Sequence, residues 1–111
     1  DNLTIDLAGA AAADLDLQVK TLTVDAKGAA SLDLSGQADN VTITVAGAGD
    51  VDAEALITQI MHINCAGASE ADIFVTKELW AQAAGASKIS YKGNPRIKQS
   101  IAVGGSLIEK D

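Results

Sequence analysis

The chain has 111 residues, of which 48% are apolar and only 3% aromatic, with 15 acidic against 8 basic side chains and a formal charge of −7. An acidic balance of that size excludes nucleic acid and anionic membranes as partners recognised through charge. The single cysteine excludes an intramolecular disulfide, and no apolar run is long enough for direct membrane insertion as a helix.

The first segment, Leu3-Thr4-Ile5-Asp6-Leu7, alternates apolar and polar residues and is followed by Gly9-Ala10. Alternation with period two predicts a strand with one buried face. The pattern then returns about every nineteen residues, which fixes a repeat architecture before anything else. Gly28-Ala29, Gly47-Ala48, Gly67-Ala68 and Gly85-Ala86 head the further units, and Gly104-Gly105 marks a degenerate sixth. Leu22, Val24 and Ala26 precede the second corner; Val41, Ile43 and Val45 the third; Met61, Ile63 and Cys65 the fourth; Leu79, Ala81 and Ala83 the fifth. After each corner the alternation resumes, with Ala13 and Leu15, Leu32 and Leu34, Val51 and Ala53, Ala71 and Ile73, and Ile89 and Tyr91 in the apolar columns.

Each unit therefore reads as two short strands joined at a Gly-Ala corner, with a looser third side where the repeat length varies. Like residues fall beside like from unit to unit, as in Thr4, Thr23 and Thr42 or Asp14, Asp33, Asp52 and Asp72. That predicts parallel, in-register stacking. Hairpins are disfavoured because no Asn-Gly or Asp-Gly turn stands at the corners, and the ladder of a leucine-rich repeat is absent. The expected fold is all-β, a right-handed parallel β-helix of five to six coils forming a single domain over residues 1–111. Cys65 falls in an inward column and is expected to be a buried free thiol.

Against this background the phrase Asp39-Asn40-Val41-Thr42-Ile43 and the run Gly85-Ala86-Ser87-Lys88-Ile89-Ser90-Tyr91-Lys92-Gly93-Asn94-Pro95 resemble the head GIN domain family of auto-transporter adhesins. The resemblance covers essentially the whole chain. It implies a parallel β-helix of unknown biochemical function, secreted or attached to the surface of Gram-negative bacteria, so an extracellular, cell-surface or periplasmic place. It also implies an export signal and a further β-rich half ahead of this part, so that residues 1–111 are the C-terminal portion of a longer secreted protein. Ala8, Ala46, Ala66 and Ala84 stand where the family pattern has serine. The family brings no catalytic residues to carry over.

Two constellations are candidates for chemistry. Asp14, Asp33, Asp52 and Asp72 share one outward column, with Asp50, Glu54 and Glu70 nearby. Stacked carboxylates repel, and Ca²⁺ takes oxygen ligands of this kind; the plainer reading is a solvated acidic face with no cofactor. The second is the outward column Thr4, Thr23, Thr42, His62, Trp80 and Ser100, with Asn64 and Gln82 beside it. An indole flanked by amides suits a sugar ring, and the plainer reading is a Trp that covers a neighbouring domain. His62 has no nucleophile beside it, which disfavours catalysis.

The expected function is a non-catalytic structural or adhesion module that contacts a surface glycan or a protein partner. The alternative is a polysaccharide-active β-helix enzyme, for which the expected loops are short and the faces flat. Lys88, Lys92, Arg96 and Lys98 gather near the end and read as a basic cap or as a contact to the acidic flank of a neighbouring molecule, the cap being favoured because Pro95 ends regular pairing. The apolar edge at Leu3–Leu7 is expected to be covered by further chain or by a second copy in a homodimer.

Overall fold

A computed structural model describes residues 2–104 and 107–110. Its eight strands are β1 (Asn2–Leu7), β2 (Ala11–Gly28), β3 (Ala30–Gly47), β4 (Asp50–Gly67), β5 (Glu70–Ala83), β6 (Lys88–Lys92), β7 (Arg96–Ala102) and β8 (Leu107–Lys110), and the described residues contain no helix. Every pairing is parallel, β1 to β2, β2 to β3, β3 to β4, β4 to β5, then β5 to both β6 and β7, and β6 to β8. The result is a parallel β-solenoid of about five turns, as the repeat predicts.

The register follows the columns of the sequence. Leu3 lies beside Leu22, Leu22 beside Val41, Val41 beside Met61 and Met61 beside Leu79. Val24, Ile43, Ile63 and Ala81 form the next inward column, and all four are fully or almost fully buried. Full burial of a branched aliphatic side chain contributes about 1.5 to 3 kcal/mol, and the bore is filled almost wholly by such residues and alanine. In the first coil the inward Leu3, Ile5, Leu7, Ala13, Leu15, Leu17 and Val19 are only partly buried against this core.

The Gly-Ala corner is fixed by the coil before it. Gly28, Gly47, Gly67 and Gly85 all have positive φ, and a Cβ on each would lie within 3 Å of the carbonyl oxygen of the corner glycine one coil earlier. The alanine that follows donates its N–H to that same carbonyl, Ala48 to Gly28 at 3.0 Å and Ala68 to Gly47 at 2.9 Å. Only a residue without a side chain permits this approach. In the last two of these corners a serine adds a second donor: Ser69 Oγ reaches the carbonyls of Gly47 and Ala66 at 3.2 and 3.0 Å, and Ser87 Oγ those of Gly67 and Ala84 at 3.2 and 2.8 Å. These hydroxyls sit in the column of Ala30 and Gly49, where a small side chain is all the corner admits.

Three details differ from the sequence expectation. The coils are not two strands and a loop, because β2, β3 and β4 each run unbroken for 18 residues through the second bend. Parallel pairing from coil to coil, Leu17 with Gly36 and Gly36 with Leu56, carries the hydrogen bonding around it. The third side is still where register slips, since Glu54, Ala55 and Leu56 have no partner in β5. Pairing also does not end at Pro95: it resumes at Arg96, and β7 lays a further rung on β5. Finally, Ser90 keeps its place beside Asp72 but is buried, being short and lying between β5 and β8.

Cys65 is fully buried, and burial pushes its thiol from an ordinary value of 9.0 up to about 11. An unfolded chain loses that proton near pH 9, while the folded one keeps it to about 11. The folded state therefore loses relative stability as pH rises through this window. Stability measured by denaturant titration should fall between pH 9 and 11, and Cys65→Ala should flatten that part of the profile; an unchanged slope would place the thiol in contact with water.

Candidate functional site

The sheet formed by the strand halves before the Gly-Ala corners presents two outward columns along the solenoid axis. In one, Thr4, Thr23, Thr42, His62 and Trp80 succeed one another in strict register; in the other, Asp6, Asp25, Thr44, Asn64 and Gln82. The alternation of each strand puts these side chains outside because Ile43, Ile63 and Ala81 between them face the bore. Ser100 does not join the first column. β7 carries an extra residue at Lys98, so that Gln99 pairs with Trp80 and Ser100 with Ala81.

His62 and Trp80 stack face to face, with ring centroids 4.4 Å apart and an interplanar angle of 9°. One coil rise of about 4.8 Å is close to the ideal stacking distance, so the fold itself brings flat rings in one column together. The stack has a chemical consequence that sequence alone does not show. One face of the indole is already covered by imidazole, so Trp80 acts as part of a wall and not as an open platform. Between the two columns runs an axial groove of about 230 Å³, walled by Thr42, His62 and Trp80 on one side and by Thr44, Asn64 and Gln82 on the other. All four candidate residues, His62, Asn64, Trp80 and Gln82, thus meet in a single groove.

The groove walls combine hydroxyls and amides, which both donate and accept hydrogen bonds. Among the described residues neither Lys nor Arg lines it. At the end nearer β1 the amide column continues into Asp25, whose Oδ1 is buried without a hydrogen-bond partner among the described residues. Cys65, the only thiol, lies in the inward column on the opposite side of the sheet.

The acidic column lies on the next face. Asp14, Asp33, Asp52 and Asp72 stand in register on successive coils. Asp33, Asp50, Asp52, Glu70 and Asp72 together border a shallow depression of about 380 Å³. Glu54 is drawn away from it, its Oε2 accepting a 2.9 Å hydrogen bond from Lys92 Nζ. Among the described residues no group of three or more His, Cys, Asp or Glu side chains is arranged to hold a metal ion. A straight column presents its oxygens side by side and does not wrap a cation.

Lys92 and Lys98, among the basic residues near the end, turn toward the chain itself. Besides Lys92 on Glu54, Lys98 Nζ lies 3.9 Å from Glu78 Oε2, and Lys88 pairs in register with Glu70. Both ion pairs are well exposed, so each contributes at most about 1 kcal/mol. The link from Glu54 to Lys92 spans two coils, and nothing in the repeat pointed to it. It forms where the register slip leaves Glu54 outside the ladder of β4 with β5.

No curated protein and no solved structure matches the chain. Residues 1–95 match the model of the family described as "Putative auto-transporter adhesin, head GIN domain". That stretch takes in the first five glycine corners, the acidic column and both walls of the groove. A repeat of Gly-Ala corners in a parallel solenoid and a match over most of its length lead to one assignment: the chain belongs to the head GIN domain family of auto-transporter adhesins.

Proposed function

We propose that this chain is an extracellular adhesion module that binds glycan through the axial groove between the His62–Trp80 wall and the Asn64–Gln82 wall. The family suggests an adhesin-like surface module. The observation that carries the further step is the convergence of one indole, one imidazole, two amides and two hydroxyls on a groove of about 230 Å³. Sugars offer hydroxyls that donate and accept, and aliphatic ring faces that pack against apolar ring edges. Hydroxyls and amides answer the first, and the stacked rings answer the second.

Among the described residues the groove holds no pair of carboxylates flanking a position for a scissile bond, which is the usual apparatus of glycoside hydrolysis. Binding without turnover is therefore the expected behaviour. A glycan array probed with the labelled chain should give bound spots, and the double variant Asn64→Ala with Gln82→Ala should lose them. Each lost amide contact is worth about 0.5 to 1.5 kcal/mol, so the two together should lower affinity about fivefold to a hundredfold. The substituted residues are exposed, so circular dichroism of the variant should match the parent. Spots that survive the double variant would move the site elsewhere, and release of reducing ends from a bound polysaccharide would make the protein an enzyme.

A further inference from the structure

We infer that the groove takes a neutral linear polysaccharide lying along the solenoid axis, and discriminates against chains of uronic acids. This rests on the groove being the binding site and concerns the class of its ligand.

The first ground is direction. The groove lies between two columns, so its walls repeat along the axis and not across it: Thr42, His62 and Trp80 face Thr44, Asn64 and Gln82 rung by rung. A wall that offers a polar group at every coil, about 4.8 Å apart, matches a ligand that itself repeats polar groups along a line. The rings support the same direction. Because His62 covers one face of the indole, a sugar cannot lie on that face, and the rings meet the ligand along the wall they form.

The second ground is charge. Thr, Asn and Gln offer balanced donors and acceptors without a formal charge, which suits hydroxyl and acetamide groups. An anionic ligand would call for the permanent charge of Lys or Arg, which make the strong charge-assisted contacts to carboxylate; among the described residues neither lines the groove, and its one imidazole, His62, is stacked on Trp80. The field that the groove does feel is negative. Asp25, with its buried and unpartnered Oδ1, stands one coil before Thr44 in the same column, and Asp6 stands one coil before Asp25. The chain as a whole carries −7. A uronate seated beside Thr44 would therefore meet a carboxylate about one coil away, a repulsion that lowers affinity roughly tenfold or more.

The test uses the single tryptophan, because all tryptophan emission comes from Trp80. Cellohexaose, mannohexaose, chitohexaose and a galacturonic acid hexamer are each titrated into the chain, and binding is confirmed by calorimetry. At least one neutral hexamer should change the emission saturably, and the galacturonate should bind at least about tenfold more weakly. High salt and Asp25→Asn should both narrow that gap, through screening and through loss of the charge. Tighter binding of the galacturonate, lost in Asn64→Ala with Gln82→Ala, would overturn the neutral class while leaving the groove as the site. If no hexamer binds, or if binding survives that double variant, the groove is not the glycan site and both readings fall.

Discussion

Ile43→Asp is expected to leave the chain unfolded at room temperature. Ile43 is fully buried in the middle coil, with Val24 one coil before it and Ile63 one coil after. The substitution removes about 2 to 3 kcal/mol of aliphatic burial. It also places a carboxyl where no described polar side chain faces the bore beside it, at several kcal/mol more, whether the group stays charged or is forced to hold its proton. A domain of this size has a total stability of about 5 to 15 kcal/mol, and a narrow bore filled with many alanines belongs near the lower end. Circular dichroism should show loss of the strand signal, while Ile43→Val, which costs about 1 kcal/mol, should fold. A melting temperature for Ile43→Asp within a few degrees of the parent would mean that the column of Val24, Ile43 and Ile63 does not face the interior.

The inward columns were legible in the sequence because period-two alternation and a regular glycine corner are local signals, and parallel stacking only superimposes them. Leu22, Val41, Met61 and Leu79 fall into one column on their spacing from the corner glycines, and the structure pairs them. The groove was half legible on the same terms: alternation placed His62, Asn64, Trp80 and Gln82 outside, in two columns. What the pattern cannot carry is the choice of rotamer, so the stacking of His62 on Trp80, which closes one indole face, came from the structure.

Register slips were equally invisible. The extra residue at Lys98 moves Ser100 out of the Trp80 column, and no residue type announces it. The same holds for the unpaired Glu54, Ala55 and Leu56 that free Glu54 for Lys92. The second corner is hidden in the sequence for a different reason. Most coils turn it without glycine, through Leu17 or Leu56, so the column lacks a uniform residue even though Gly36 depends on its glycine more strictly than any Gly-Ala corner does.

Gly36→Ala is accordingly expected to destabilise the chain far more than the same change at the first corner. Gly36 has φ +111° and pairs with Leu17 of the preceding coil; a Cβ there would run into the Leu17 carbonyl oxygen and lie 2.9 Å from its nitrogen. Both atoms are backbone, so relief requires the two coils to separate at this bend, breaking parallel hydrogen bonds beside the buried Leu34 and Ala38. Gly9 is also left-handed, at φ +74°, but a Cβ there meets nothing within 4 Å. Gly9→Ala therefore pays only the backbone cost of a left-handed alanine, about 1 to 2 kcal/mol. Gly36→Ala adds steric displacement and lost hydrogen bonds, so its total should exceed about 4 kcal/mol, in the range reserved for severe backbone conflict. Thermal melts of the two variants should differ by more than about 8 °C, since each kcal/mol is worth about 4 °C or more in a domain near this size. Equal shifts would show that positive φ alone sets the cost, and that the coils at Gly36 are not in the close contact on which the second corner rests.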